Sequence, residues 1–141
     1  MNLSKAEVLA QANAASKNTL METLNIEMVD YGPDFLVARM PVDSRVYQPD
    51  GVLHGGATAA LAESVGSFAS HIFLDVTNKF VRGIEITANH LKSVTEGYVY
   101  AKATFLHKGS TTQLLDIRVT DEDDNLISIC RLSTISLPRK K

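Results

Sequence analysis

From Gly51 to Leu74 the chain reads GVLHGGATAALAESVGSFASHIFL, and the interpretation of this stretch decides the fold. Glu63 is its only acid, and it contains no Lys or Arg. After His54, Gly55 and Gly56, Ala and Leu take over, and both favour helix. The run predicts a helix from near Gly55 to near Phe73, and its length and lack of charge predict burial on most sides. Glu63 is the anomaly in such a helix, because a carboxylate taken out of water without a partner is costly. Spacings of three and four place Gly56, Ala59, Ala60, Glu63 and Ser67 on one face. That face is small apart from the acid, so a large group can approach it. Leu61, Val65, Phe68 and Ile72 on the opposite side read as core. A buried Glu tied to a backbone donor or a Lys is the plain structural alternative; a lone acid among small residues favours function.

His54-Gly55-Gly56 falls where the helix begins. Unpaired N–H groups at a helix start attract anions and developing negative charge, and glycine lets a substrate come close to them. Alone, the triplet also fits an ordinary turn into a helix. With Glu63 two turns later, it describes an electrophile-binding site with a base or nucleophile beside it.

The composition bounds the rest. A chain of 141 residues is one domain, 1–141, large enough to bury a core without disulfides or metal. Its formal net charge of −2 gives no electrostatic footprint for nucleic acid. Cys130 is the single cysteine and sits in an apolar strand pattern, which suits a small buried hydrophobe and a reducing compartment. The first residues, MNLSKAEVLAQANAASKN, lack a signal-peptide pattern, and no run has the length of a membrane span. The expected setting is the cytoplasm, without a membrane partner.

Outward from the central helix, Ser4 and Glu7 fit a capping box for a helix to about Ala14, and Thr19 to Leu24 forms a further turn, making 1–23 an N-terminal helical segment. Ile26 to Asp30 and Phe35 to Pro41 read as strands around a turn at Gly32-Pro33-Asp34. Asp43 to Asp50 is a polar loop leading to the helix. Val81 to Leu91, Tyr98 to His107, Thr112 to Asp121 and Leu126 to Leu137 are β-rich runs separated by turn chemistry, and 138–141 reads as a frayed tail. One long helix followed by a meander of antiparallel strands predicts an α+β fold with the sheet curled around the helix. The acidic cluster at 121–124 reads as a hairpin tip and lacks the spacing of a calcium loop.

Other chemistry finds little support. His54, His71, His90 and His107 show no metal-ligand spacing, and a single cysteine makes no Cys-x-x-Cys pair, so no metal is expected. No phosphate loop and no G-x-S-x-G elbow is present.

The segment Tyr47-Gln48-Pro49-Asp50-Gly51-Val52-Leu53-His54-Gly55-Gly56-Ala57, with Leu61-Ala62-Glu63-Ser64 after it, resembles the signature of hotdog-fold acyl-CoA thioesterases. It is most similar to the subgroup acting on hydroxybenzoyl-CoA and dihydroxynaphthoyl-CoA type thioesters, and the likeness runs from about Asn18 to the end. Asp50 departs from that subgroup, where an aromatic residue is common. The resemblance implies a hotdog arrangement in which the sheets of two protomers join and each active site forms at their interface, as a homodimer or homotetramer. It implies Glu63 as nucleophile or general base, Gln48 and His54 as groups that polarise the carbonyl or orient acyl group and water, and Ser67 as a water-positioning residue. The backbone of Gly55 and Gly56 takes the electrophilic role that the helix start suggests. It further implies contacts to the coenzyme A part of the substrate from Gly83, from His90-Leu91-Lys92-Ser93, and from His107-Lys108-Gly109-Ser110. No cofactor is expected beyond the coenzyme A that the substrate itself carries. Two other functions remain open: a hydratase or dehydratase on the same ligand class, and an acyl-CoA binding protein without catalysis.

Overall fold

The structure is a computed structural model that describes residues 2–140. Three α-helices, a 3-10 turn and six strands follow one another as α1 (Lys5–Ala14), α2 (Leu20–Thr23), β1 (Glu27–Tyr31), β2 (Phe35–Pro41), the 3-10 turn Ser44–Val46, α3 (Gly55–Phe73), β3 (Lys79–His90), β4 (Tyr98–Lys108), β5 (Thr112–Thr120) and β6 (Leu126–Pro138). The capping box is present at Ser4 and Glu7, and Thr19 caps α2. The expected bounds of α3 agree with those observed.

All six strands join one antiparallel sheet in the order β1-β2-β4-β5-β6-β3. Period-two alternation sets its inner face: Leu36, Ala38 and Met40 on β2, Val99, Ala101 and Ala103 on β4, Leu115, Ile117 and Val119 on β5, and Cys130 and Leu132 on β6, all buried. α3 lies across this face through Leu61, Ala62, Val65 and Ala69. Ala38 and Ala101 are paired partners in the ladder, and small side chains there let the helix settle close. Gly66 completes the fit, since a Cβ on it would come within 2.6 Å of Leu132 Cδ2.

α3 is not buried on most sides. Its buried residues, Thr58, Leu61, Ala62, Val65, Gly66, Ala69 and Ser70, form one face with spacings of three and four, whereas Glu63 is exposed and Phe68 and Ile72 are half-buried. The uncharged run reflects a helix whose second face is open in a single protomer.

The two sheet edges differ. The β1 edge is closed by α1: the Asn13 side chain donates to the Met28 carbonyl at 3.0 Å and accepts from the Met28 N–H at 2.7 Å. The β3 edge has no such cover, and Ile84, at a bulge between Gly83 and Glu85, is 57% exposed. A long uncovered edge presents a row of backbone groups to a further strand. The tail departs from expectation: Pro138 pairs with Lys79 in the ladder, and Arg139 donates to the carbonyls of Asn78 and Lys79 at 2.7 and 3.1 Å. Among the described residues no helix is long and apolar enough to cross a membrane.

Candidate active site

β3 runs back along α3, so the two elements meet at two stations. At the first, the start of α3, His54 is the N-cap and its Nδ1 accepts from the Gly56 N–H at 2.7 Å. The N–H of Gly56 is thereby occupied, while that of Gly55 has no acceptor among the described residues. The loop before the helix is held in place by His54 N–H donating to Val46 O, and by Gln48 N–H donating to Val52 O, both at 2.8 Å. The Gln48 side-chain oxygen accepts from the Asp50 N–H, so its NH2 end is the one left to face outward. A pocket of about 300 Å³ opens here, lined by Gln48, Gly55, Thr58, His90, Lys92 and Ser93 among others, with Leu91 also on its wall. His90 lies close over the helix start, because a Cβ on Gly55 would sit 2.6 Å from His90 Nε2.

At the second station Glu63 faces Gly83, where an added Cβ would lie 3.0 Å from the Glu63 Oε2. A side chain at this position would press on the carboxylate. Glu63 has no hydrogen bond or ion pair among the described residues; the four ion pairs present join other groups. It borders a groove of about 380 Å³ lined by Leu20 and Met21 of α2 and Ala60, Ser64, Ser67 and Phe68 of α3. Glu63 is therefore an exposed, unpartnered acid beside an apolar groove rather than a buried one. The sequence reading took it as buried because nothing charged surrounds it on the helix.

The stretch His107-Lys108-Gly109-Ser110 lies at the far end of α3. Lys108 Nζ is 5.8 Å from the centre of the Phe73 ring and 5.4 Å from that of Phe105. The hairpin is anchored from below: Gln113 Nε2 donates to Gly109 O at 2.9 Å, and Ser136 Oγ donates to Ser110 O at 3.0 Å. Gln113 Oε1 accepts from Thr134 Oγ1 at 2.7 Å, and Thr134 lies 3.5 Å from Ser70 Oγ on α3. Gln113 is 2% exposed, and the sequence analysis passed over it. Its signal was a polar side chain at the inward parity shared with Leu115, Ile117 and Val119.

One protomer thus brings Gln48, Gly55, His90, Leu91, Lys92 and Ser93 together, and separately brings Glu63, Ser67 and Gly83 together. Gly83 belongs with the acid, not with the His90–Ser93 pocket. Gly55 and Glu63 are eight residues apart, about 12 Å along the helix axis. The 107–110 hairpin is further still from the His90–Ser93 pocket, because α3 spans about 27 Å between its ends. No group of three or more His, Cys, Asp or Glu that could hold a metal occurs among the described residues.

A curved antiparallel sheet around one long helix, with a glycine-rich helix start and an acid two turns on, defines the class of hotdog thioester hydrolases. The sequence signature of the thioesterase superfamily matches residues 50–128, and the chain belongs to that superfamily. It is 43% identical over 129 residues to the 1,4-dihydroxy-2-naphthoyl-CoA hydrolase of Escherichia coli, covering 92% of this chain and 94% of that one. It is 44% identical over 126 residues to the proofreading thioesterase EntH of Cronobacter turicensis, covering 89% and 91%. A crystal structure of a mutant thioesterase PA1618 from Pseudomonas aeruginosa superposes with a TM-score of 0.90 at 42% identity over 92% of this chain and 94% of that one. Thioesterase HI1161 of Haemophilus influenzae superposes with a TM-score of 0.91 at 36% identity over 100% and 95%. The chain is a thioester hydrolase of the α+β hotdog fold.

Proposed function

We propose that the chain hydrolyses an acyl-CoA thioester to the free acid and coenzyme A, with each active site assembled from two copies. The observation that carries this reading is the division of unpaired groups. A free backbone donor, Gly55 N–H, and the Gln48 NH2 end lie at one station of α3, and an unpartnered carboxylate, Glu63, lies at the other.

Hydrolysis of a thioester places negative charge on the carbonyl oxygen, so donors fixed at a helix start stabilise the transition state. Gly55 N–H and the Gln48 amide take that oxygen, and His54 keeps the turn closed by holding Gly56. Glu63 supplies the basic oxygen, either attacking the carbonyl to form an anhydride that water opens, or drawing a proton from the attacking water. Ser67, one helical turn on, orients that water. Both routes expel the coenzyme A thiolate and need water as the only co-reactant. Leu20, Met21 and Phe68 give the groove beside Glu63 an apolar wall, which suits an aryl or similar uncharged acyl group. Binding without turnover gives no role to an unpaired acid facing Gly83, and a hydratase would use it on a double bond rather than on the thioester, which thiol release distinguishes.

A gap of about 12 Å along one helix is too wide for a donor and a nucleophile acting on one carbonyl. Antiparallel pairing of two β3 edges removes it. The strand runs from the Gly83 station to the His90 station, so a twofold axis at its centre sets the Glu63 of one copy against the Gly55 pocket of the other. The same operation brings Lys92 of one copy and Lys108 of the other to one ligand, as partners for coenzyme A phosphates. The homodimer is the smallest unit with complete sites, and a homotetramer contains two such units.

The test is Glu63→Gln. With release of free thiol as the assay and aryl-CoA as substrate, kcat should fall by about two to four orders of magnitude while the melting temperature holds. A variant that hydrolyses at the parental rate would remove Glu63 from the chemistry.

A further inference from the structure

On the inner face of β6, Ser128 is fully buried, and three groups converge on its hydroxyl. The Asn89 carbonyl lies at 3.0 Å, His90 Nδ1 at 3.0 Å and Cys130 Sγ at 3.6 Å. A hydroxyl offers one proton and two lone pairs, and a carbonyl oxygen can only accept. The Ser128 proton is therefore directed to Asn89 O. With that proton spent on Asn89 O, a neighbour that hydrogen-bonds the hydroxyl does so as donor, which for His90 is Nδ1–H at 3.0 Å and for Cys130 its S–H at 3.6 Å. This arrangement uses the hydroxyl's full capacity in a site closed to water.

The consequence lies on the other side of the ring. A neutral imidazole carries one N–H, so a proton held at Nδ1 leaves Nε2 as a bare lone pair. Nε2 is the atom that stands over Gly55, in the pocket shared with Gln48, Thr58 and Lys92. Of the groups assigned above to the substrate from this pocket, Gly55 N–H, the Gln48 NH2 end and the Lys92 ammonium can only donate. The Gln48 oxygen is occupied by Asp50. His90 Nε2 adds a fixed acceptor to this pocket, beside the rotatable hydroxyls of Thr58 and Ser93. An acyl-CoA brings a matching group, since its pantetheine arm carries an amide N–H two carbons from the sulfur.

We propose that Ser128 is a positioning residue that holds His90 in the Nδ1–H form, so that Nε2 accepts a hydrogen bond from the pantetheine amide N–H of the substrate. This rests on the acyl-CoA reading for the identity of the N–H, and on the buried triad alone for the ring. Neither serine nor tautomer was visible from the motif, although Ser128 shares the inward parity of Cys130 and Leu132.

The experiment has a free-protein arm and a kinetic arm. Long-range proton–nitrogen spectra of the 15N-labelled protein, with His90 assigned by its loss in His90→Gln, should show Nδ1 protonated and Nε2 bare. An Nε2–H form in the parental protein overturns the proposal. In Ser128→Ala the ring should lose that preference, and KM for acyl-CoA should rise about tenfold with kcat within about twofold, the scale of one hydrogen bond. KM for an S-alkyl thioester of the same acid, which has no amide, should not move. His90→Ala should raise KM for acyl-CoA by a factor similar to that of Ser128→Ala, and should likewise leave KM for the amide-free thioester unmoved. An unchanged KM in Ser128→Ala, or an equal loss on the amide-free thioester, overturns the substrate contact. If the parental protein hydrolyses no acyl-CoA, the acyl-CoA reading fails and the substrate contact falls with it, while the spectra of the free protein still decide the pairing of Ser128 with His90.

Discussion

The two stations of α3 handle their polar groups in opposite ways. At the helix start almost every group is engaged by a neighbour: His54 holds Gly56, Asp50 holds the Gln48 oxygen, Ser128 holds His90. What remains free is a small set of donors with fixed directions. Two turns later Glu63 has no hydrogen bond or ion pair among the described residues, and its carboxylate lies against Gly83 on β3. Preorganised donors are useful where charge will develop, and an unpaired carboxylate is useful where an electron pair must be given. In the proposed reading each station is half of a site, with the open β3 edge between them.

The largest effect that can break this comparison comes from mixing variants. Glu63→Gln and Gln48→Ala should each be nearly inactive alone. Subunit exchange makes about half of the dimers mixed, and each mixed dimer holds one wild-type site, so about a quarter of parental activity should return. Activity that stays at the level of the separate variants would place both halves within one protomer.

Gly83→Ala tests the acid station from the opposite side. Its Cβ would lie 3.0 Å from Glu63 Oε2, so the carboxylate must move aside. The end of that flexible side chain has to give by a few tenths of an ångström, so kcat should fall about tenfold with the donor station intact. The bulge already lies between Gly83 and Glu85, so the melting temperature should change little. Parental kcat in a folded Gly83→Ala would show that Glu63 has freedom to spare.

The sequence carried most of the fold because its signals are local. The capping box at Ser4 and Glu7, the bounds of α3 and the alternation in β2 each need only neighbours a few residues away. It failed where a property depends on distant chain. Glu63 reads as buried because the helix around it is uncharged, yet composition does not distinguish a face covered by the sheet from a face left open. The polar positions Gln113 and Ser128 were detectable as breaks in inward parity, but their partners, Gly109 and His90, come from other strands. Asn13 gave no local cue at all, because its clamp on Met28 joins residues fifteen apart. The resemblance groups Gly83 with coenzyme A contacts, and its position beside Glu63 needed the strand to be placed against the helix.

Smaller effects sharpen the comparison at the ligand end. Lys92 belongs to the donor station and Lys108 to the far end of α3, so one ligand reaches both only across two copies. Each Lys→Ala change should raise KM several-fold, about 3- to 10-fold, at low salt with kcat nearly unchanged, because a phosphate contact is the same in ground and transition states. Added salt should shrink the difference through screening. A change in KM for Lys92→Ala alone would confine the ligand to one station.

The smallest expected effect concerns Asp43, an acid in the loop that leads to the helix start. Asp43 precedes the 3-10 turn that carries Val46, whose carbonyl holds the His54 N–H. Unlike Glu63, its carboxylate is fully engaged, by the Arg45 guanidinium at 2.7 and 3.0 Å and by the Arg45 N–H at 3.0 Å. The side-chain hydrogen bonds from Arg45, then the backbone one, lower its pKa from 3.8 to about 2. A lowered native pKa means that the folded state favours the charged form, so the contribution is present above pH 3.8 and fades as pH falls through about 2. The pair is exposed to solvent, which keeps that contribution small. Carboxyl titration followed by NMR should give Asp43 a midpoint clearly below 3.8, and Asp43→Asn should abolish the signal while leaving kcat within about twofold. An unshifted midpoint would mean that Arg45 does not hold this acid in solution. A large loss of kcat in Asp43→Asn would move Asp43 from the frame of the donor station into its chemistry, and the contrast with Glu63 would no longer hold.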